Sequence, residues 1–179
     1  MRGYFGIGVE GVSKAMNLGA VLRTAHGFGA SFAFTIAAAY DRSEGGLADT
    51  SDAIASLPFY DFATVADLML PRDCALVGVE LIDGAVELPS FRHPRAAAYV
   101  LGPERSSLSP ALLACCDHVV RIPTRFCLNL SVAGAIVMYD RLLSLARFAG
   151  RPLMAGGPVE PVTLPVHGAP RFRRKEKRA

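Results

Sequence analysis

The sequence predicts an α/β fold, a parallel sheet with helices on both faces. Short apolar runs typical of buried strands alternate with helical segments, and strands separated by helices pair in parallel. The 179 residues are about one domain by length, and with 51% hydrophobic residues they can bury a sizeable core. No GxGxxG motif follows the first strand, so a dinucleotide-binding Rossmann fold has no support.

The expected strands are the apolar runs 3–10, 32–37, 74–81, 96–101 and 118–122. Segment 40–58 is rich in Gly, Ser and Asp and is expected to be a long loop. Segment 91–95 is expected to be an exposed connector.

The first helix is expected to open at Asn17. Apolar residues then recur at the spacing of one buried helix face: Leu18, Val21, Leu22 and Ala25. Segment 63–70 is expected to form a short helix that Pro71 ends.

Two further helices follow. Ser109 with Pro110 has the pattern of an N-cap and a first helical residue, so a helix is expected over 110–116. The last helix, expected over 129–148, is apolar on nearly every side until Asp140. A helix that is apolar all round must be buried all round, which in a domain this small indicates a subunit interface.

Composition excludes several classes of protein. No apolar run reaches the roughly 18 residues that would span a bilayer, and the N-terminus lacks a secretory signal. The four cysteines show no CxxC spacing and no paired histidines, so a zinc site is not expected. We therefore expect a reduced, cytoplasmic protein with no metal and no membrane span.

The net charge of +3 is unevenly distributed, because residues 171–178 alone carry +5 and leave −2 for the rest. We expect a folded domain over 1–150 and a flexible Pro/Gly-rich linker with a basic tail over 151–179. Such a tail favours a nucleic-acid partner, although a solvated tail that aids solubility has the same composition. The candidate RNA contacts in the tail are Arg171, Arg173, Arg174 and Lys175.

A candidate site lies near the C-terminal end of the expected domain. Pro123 ends the strand 118–122, because proline has no backbone N–H to donate to a neighbouring strand. Asn129 and Ser131 then lie at the start of an apolar helix. A strand, a polar loop and a helix start in this order favour a ligand pocket, but a capped helix in the core has the same pattern. Arg23, flanked on its helix face by small residues, is either a ligand contact or a surface arginine.

Three stretches in order resemble the signature motifs of the SpoU–TrmH family of RNA ribose 2′-O-methyltransferases. They are NLGAVLRTA (17–25), YVLGPER (99–105) running on to LS (108–109), and IP (122–123) running on to LNLS (128–131). The resemblance covers about residues 3–148. It implies the SPOUT fold, in which a parallel sheet with a C-terminal trefoil knot binds S-adenosylmethionine and works as a homodimer.

The resemblance also implies two sets of site residues. The backbone that holds the cofactor is expected at Leu101, Gly102, Glu104, Ile122, Pro123 and Leu128. The catalytic set is expected to be Arg23, Asn17, Glu104, Asn129 and Ser131. Arg23 would reach the target ribose in the partner subunit's site, and Asn17 would orient Arg23 or the substrate.

The implied reaction transfers a methyl group to a ribose 2′-hydroxyl of tRNA or rRNA and leaves S-adenosylhomocysteine. Proposals for the family make the arginine the base, but an arginine pKa above about 12 makes proton removal costly at neutral pH. We favour Arg23 as an electrostatic stabiliser of the developing alkoxide or as a clamp on the adjacent phosphate.

Two residues depart from the family pattern. Cys127 stands where the family usually has serine, and a thiol is a weaker hydrogen-bonding group. Ser107 stands where the family usually has glycine, which would strain a backbone with positive φ. A non-catalytic RNA-binding protein with the same fold is therefore the alternative, and a methyltransferase acting on a small molecule or protein would leave the basic tail unexplained.

Overall fold

A computed structural model of the chain describes residues 3–39, 57–103, 106–146, 148 and 155–156. Nearly all of the expected loop 40–58, and the tail residues 171–178, lie outside the described residues. By its contacts the chain divides into a unit Met1–Arg147 and a remainder Phe148–Ala179, and the sheet and helices belong to the first unit.

Seven parallel strands form one sheet in the order β3-β2-β1-β6-β4-β7-β5. In chain order they are β1 Tyr4–Glu10, β2 Phe32–Ile36, β3 Phe59–Phe62, β4 Ala75–Val79, β5 Val86–Glu87, β6 Ala96–Leu101 and β7 His118–Arg121. All five expected strands are present. The predicted parallel sheet is therefore confirmed for the described residues.

Helices cover both faces of the sheet, as predicted. They are α1 Ala15–Phe28, α2 Pro110–Cys115 and α3 Leu130–Leu145. Helices α1 and α3 pack on each other and on the strand residues that point to one face, such as Ile7 and Tyr99. Helix α2 lies over the opposite face, where Leu112 packs with Phe34 and Val100.

Two glycines of β1 let the neighbouring strand fill the α2 face with aromatic rings. A Cβ on Gly6 would lie 2.2 Å from the ring of Phe32, and one on Gly8 would lie 2.3 Å from the ring of Phe34. The two rings stack with centroids 6.1 Å apart. The absence of side chains on β1 is therefore what makes room for this packing.

Segment 63–70 is not a helix, which corrects the prediction. The chain there leaves strand β3 and makes one 3-10 turn, Val65–Asp67, which is closed by a capping box between Thr64 and Asp67. The missed strand β3 is anchored by Asp61, whose carboxylate accepts a hydrogen bond of 2.6 Å from the Thr35 hydroxyl. The sequence of this strand, FYDF, does not alternate strictly between apolar and polar residues, so periodicity did not reveal it.

The N-terminal boundary of α1 was also misplaced, since the helix begins at Ala15 rather than Asn17. The expected buried face is confirmed, and Leu18, Val21 and Ala25 are at most 4% exposed. The helix ends at Phe28, and Gly29 caps it with a φ of 74°, which suits a residue without a side chain.

Segment 91–95 is not simply an exposed connector, because His93 within it is 4% exposed. The expectation failed because one polar side chain of this segment, that of His93, bonds to groups on other elements of the fold. The imidazole of His93 bonds to the Tyr99 hydroxyl and to the Asp140 carboxylate of α3. A short strand and a 3-10 turn, Leu88–Ser90, precede this segment and were not expected.

Helix α3 is not buried on all sides within one chain. It runs from Leu130 to Leu145, which is shorter than expected. Val132, Tyr139 and Leu142 are 36–51% exposed, so one face of the helix is open. The buried side contains a charged residue, Arg141, which is only 4% exposed.

Candidate functional site

A cavity of about 420 Å³ opens at the carboxyl ends of strands β4 and β6. Three stretches of the chain form its walls: the end of β4 with the residues after it, the end of β6 with the segment after it, and the segment after β7 with the first turn of α3. The lining residues are Val79, Glu80, Leu81, Leu101, Gly102, Pro103, Ser106, Ser107, Ile122, Thr124, Cys127, Leu128, Leu130 and Ala133. This edge of a parallel sheet is where ligands usually bind.

Four of the residues expected to hold a cofactor line this cavity: Leu101, Gly102, Ile122 and Leu128. Pro123 lies between two lining residues in sequence but is not itself part of the wall. Glu104 lies outside the described residues, as do the tail residues Arg171, Arg173, Arg174 and Lys175. The structure thus brings the second and third sequence motifs together at one cavity.

Gly102 is tightly enclosed where the chain leaves β6. A Cβ at this position would lie 3.1 Å from the backbone nitrogen of Leu108 and 3.2 Å from Glu80 Oε2. Both distances are shorter than ordinary van der Waals contact. A side chain would therefore press on the wall of the cavity itself, in addition to narrowing the space for a ligand.

Asn129 and Ser131 lie at the N-terminus of α3, next to the cavity but not among its lining residues. Asn129 Oδ1 accepts hydrogen bonds from the backbone N–H of Ser131 at 2.9 Å and from its hydroxyl at 2.7 Å. Asn129 is thus the helix cap, and both side chains are held by each other. The capped-helix alternative is correct as a description of the local structure, and it coexists with the pocket.

Arg23 and Asn17 are on α1 and do not line the cavity of their own chain. Arg23 is exposed, and Asn17 is half-buried. Met16 lies on the same stripe of the helix as Arg23, and its side chain is 75% exposed. The first motif therefore presents its arginine on a surface face of α1 beside an exposed apolar side chain.

Sequence reasoning missed Glu80, the charged residue among the lining residues. It directly follows strand β4, which pairs with β6 in the sheet. The available signal was its position: a polar residue just past a buried parallel strand lies at the binding edge. The neighbouring order of β4 and β6, however, cannot be read from the sequence.

The two departures from the family pattern occupy the cavity wall. Cys127 and Ser107 both line it. Among the described residues other than glycine, only Ala37 and Asp73 have a positive φ. Ser107 therefore does not have a positive φ, so the backbone strain that the family's glycine at this position suggested is not present.

No helix within the described ranges is long and apolar enough to cross a membrane. In the same part of the chain, no group of three or more His, Cys, Asp or Glu side chains is placed to hold a metal ion. The four cysteines are free thiols.

The sheet and its edge cavity define an α/β protein with a pocket of small-molecule size beside β4 and β6. The profile of the SpoU rRNA Methylase family matches residues 5–139. This range contains all three motifs and the cavity, and the chain belongs to that family.

Individual relatives agree with this assignment. The chain is 32% identical over 146 residues to the 23S rRNA (guanosine-2′-O-)-methyltransferase RlmB of Bordetella pertussis, covering 74% of this chain and 56% of that protein. It therefore spans little more than half the length of that relative.

Solved structures share the fold. The SpoU methyltransferase AviRb from Streptomyces viridochromogenes, in complex with the cofactor AdoMet, superposes with a TM-score of 0.71 at 21% identity, over 78% of this chain and 57% of that one. A structure that concerns the 2-OH methylation of C/U34 on tRNA superposes with a TM-score of 0.70 at 21% identity, over 80% of this chain and 91% of that one. At these identities the likeness establishes the fold.

Proposed function

We propose that this chain transfers a methyl group from S-adenosylmethionine to a ribose 2′-hydroxyl of tRNA or rRNA. The observation that supports this most is the single cavity bordered by the second and third family motifs. The RNA methyltransferase named above, RlmB, supports the class of substrate.

The residues of the cavity fit an adenosyl cofactor. Its volume of about 420 Å³ lies in the range of small-molecule sites. Val79, Leu101 and Ile122 offer apolar surface suited to an adenine ring, while Ser106 and Ser107 offer polar groups for the ribose and amino-acid parts. The enclosed position of Gly102 fits a backbone that approaches a ligand closely.

When bound, S-adenosylmethionine would supply a methyl group on a positively charged sulfur. The ribose hydroxyl must lose its proton as it accepts that group, so negative charge develops on the ribose oxygen. We assign the guanidinium of Arg23 to stabilising that charge or holding the adjacent phosphate, and Asn17 to orienting Arg23 or the substrate. Glu104, Asn129 and Ser131 complete the proposed site on the cofactor side.

The proposed active form is a homodimer in which Arg23 serves the partner's cavity. Three observations support it: Arg23 lies outside the cavity of its own chain, Met16 on the same stripe is 75% exposed, and α3 has an open apolar face. That face contains Val132, Tyr139 and Leu142. Helices α1 and α3 also pack on each other, so both lie on the same face of the sheet.

We also propose that the chain forms a trefoil knot. In the sheet, β4 lies between β6 and β7. Helix α3 follows β7 in the chain but packs on α1. The segment between β7 and α3 must therefore come back across the edge where the segment after β6 lies, and both border the cavity. Passage of one through the other would tie the knot.

The basic tail completes the proposal. Residues 151–179 would act as a linker and a tail whose Arg171, Arg173, Arg174 and Lys175 contact RNA phosphates. Each such contact releases counterions. Deletion of the tail should therefore weaken RNA binding and reduce its salt dependence, while cofactor affinity stays unchanged.

The reaction is tested with labelled S-adenosylmethionine and separated total tRNA and rRNA. A methylated 2′-oxygen cannot attack the adjacent phosphate, so label should persist in alkali-resistant dinucleotides from one RNA pool. Label released as ordinary mononucleotides would point to base methylation instead. Cofactor binding without transfer to either pool would favour the non-catalytic RNA-binding alternative.

The shared site is tested by complementation. Arg23→Ala and Gly102→Val should each be inactive alone, because each removes a different part of every site. When the two are co-expressed, mixed dimers should regain one intact site and part of the activity. Mixtures that stay inactive although mixed dimers form would contradict the proposal that Arg23 acts in the partner's site.

A further inference from the structure

Two carboxylates hold the backbone of the segment that forms one wall of the cavity. The backbone N–H of Leu108 donates to Glu80 Oε2 at 2.8 Å. The next backbone N–H, that of Ser109, donates to Glu10 Oε2 at 2.7 Å. The segment 106–109, called the clamped segment below, is thus bonded by two consecutive amides to two different strands.

The positions of the two carboxylates explain why they reach the same segment. Glu10 ends β1, and Glu80 directly follows β4. Strands β1 and β4 are the two neighbours of β6, from which the chain enters the clamped segment. The carboxylates therefore hold the segment from both sides of the strand that leads into it.

Both carboxylates accept backbone hydrogen bonds within the described part of the chain. Glu10 is only 7% exposed and bonds the Ser109 N–H. Glu80 uses its second oxygen, Oε1, to accept from the N–H of Leu81 at 2.9 Å, which fixes the orientation of the carboxylate. Both oxygens of Glu80 are therefore bonded to backbone amides at the cavity, those of Leu81 and Leu108.

The clamped segment is itself part of the cavity. Ser106 and Ser107 line it directly before the clamped amide of Leu108, and Glu80 lines it as well. Gly102 closes the arrangement, since a Cβ there would meet both partners of the Glu80–Leu108 hydrogen bond. Movement of this hydrogen bond would therefore move the wall that faces a ligand.

We propose that Glu80 and Glu10 are positioning residues that hold the clamped segment in the shape that binds the adenosyl cofactor. This inference rests on the proposed function. The main effect of losing Glu80 is then on cofactor affinity, because the wall must be ordered again when the cofactor binds. Catalysis by the residues on α1 is affected less.

The test measures binding of S-adenosylhomocysteine by calorimetry, together with the thermal unfolding midpoint of each variant. Glu80→Ala removes both acceptors, and we expect its affinity to fall about tenfold or more. Glu80→Gln keeps one acceptor oxygen but turns an N–H group towards the other amide, so its affinity should lie between those of Glu80→Ala and the unmutated protein. Glu10→Ala, which leaves the Ser109 N–H without its acceptor, should weaken binding in the same direction.

Glu87→Gln is the matched control. Its carboxylate, also at the end of a strand, pairs on the surface with Arg121 at 3.0 Å and does not line the cavity. This variant should bind S-adenosylhomocysteine as the unmutated protein does. In methyl transfer, the KM for S-adenosylmethionine should rise in Glu80→Gln by a larger factor than kcat falls, with the KM for RNA unchanged.

The possible outcomes separate the two proposals. Folded Glu80 variants that bind with unmutated affinity, or that lose thermal stability while keeping that affinity, would overturn the clamp and leave the proposed function standing. An unmutated protein that binds no S-adenosylhomocysteine would overturn both.

Discussion

Arg141 donates to the Tyr99 hydroxyl at 3.2 Å in the interior between helix α3 and the sheet. The same guanidinium donates to three backbone carbonyls, those of Pro94, Arg95 and Tyr4, at 2.6–3.1 Å. One side chain thus joins α3 to the starts of β1 and β6. Its charge is buried, but its hydrogen bonds are satisfied.

Replacing Arg141 with Met should destabilise the fold strongly. The carbonyls of Pro94 and Tyr4 and the buried hydroxyl of Tyr99 would each lose a donor, while the Arg95 carbonyl would keep only the Tyr4 N–H. The free energy of unfolding should therefore fall by about 3–5 kcal/mol in urea titrations. Arg121→Met is the control, because Arg121 forms an exposed pair with Glu87. That change should cost less than about 1 kcal/mol. Equal losses for the two variants would contradict the role given to Arg141.

Stability should fall as the solution becomes acidic, because His93 is buried in its neutral form. Burial lowers the pKa of His93 below its ordinary 6.5; Arg141 acts in the same direction, and Asp140 opposes it. The unfolded chain therefore takes up the proton first. The stability contributed by His93 is fully present above about pH 6.5 and is lost as the pH falls through the folded-state pKa.

The neutral form also explains the hydrogen bonds of His93. With Nε2–H donating to Asp140 at 2.9 Å, Nδ1 is free to accept from the Tyr99 hydroxyl at 2.6 Å. Urea titrations at pH 7.5 and 5.5 should show a smaller pH dependence in His93→Gln than in the unmutated protein. An unaltered slope in His93→Gln would contradict the assignment.

Gly8→Ala should destabilise the protein, whereas Gly27→Ala should not. A Cβ at position 8 would lie 2.3 Å from the ring of Phe34, so the free energy of unfolding should fall by about 1–3 kcal/mol. A Cβ at position 27 of α1 meets nothing within 4 Å. Alanine there should raise stability by up to about 1 kcal/mol through its helix propensity. Thermal and urea unfolding measure both, and the same sign for the two changes would refute the packing argument.

Gly102→Ala should weaken cofactor binding with little loss of stability. The new methyl group would press on the Leu108 nitrogen and on Glu80 Oε2, at 3.1 and 3.2 Å. We expect S-adenosylhomocysteine affinity to fall several-fold, more than in Gly27→Ala, which lies on α1 away from the cavity. An unchanged affinity in Gly102→Ala would contradict the claim that a side chain at position 102 disturbs this wall of the cavity.

The elements that the sequence predicted well are those with a strong local signal. Strand β6 was placed to the residue, and Ser109 caps α2 as its pairing with Pro110 indicated, accepting from Leu112 N–H at 3.2 Å. The second and third motifs located two walls of the cavity. These features depend on residues that are close together in the chain.

The features that escaped prediction depend on distant contacts. Strand β3 has only four residues, and its place follows from pairing with β2. Burial of His93 depends on Tyr99 and on Asp140, 47 positions away. Glu80 joins the site only because β4 lies beside β6. The pairing of β4 with β6 leaves no periodic pattern in a single sequence, so it could not be predicted.

Methyl transfer from labelled S-adenosylmethionine to RNA, measured for the unmutated protein and for Arg23→Ala, tests the central claim most directly. We expect nucleoside mass spectrometry to find a labelled 2′-O-methyl nucleoside with the unmutated protein. Arg23→Ala should form none of it while binding S-adenosylhomocysteine with unmutated affinity, since Arg23 is assigned to the target ribose and its phosphate and not to the cofactor. Label found only on a base, or Arg23→Ala transferring at the unmutated rate, would contradict the account.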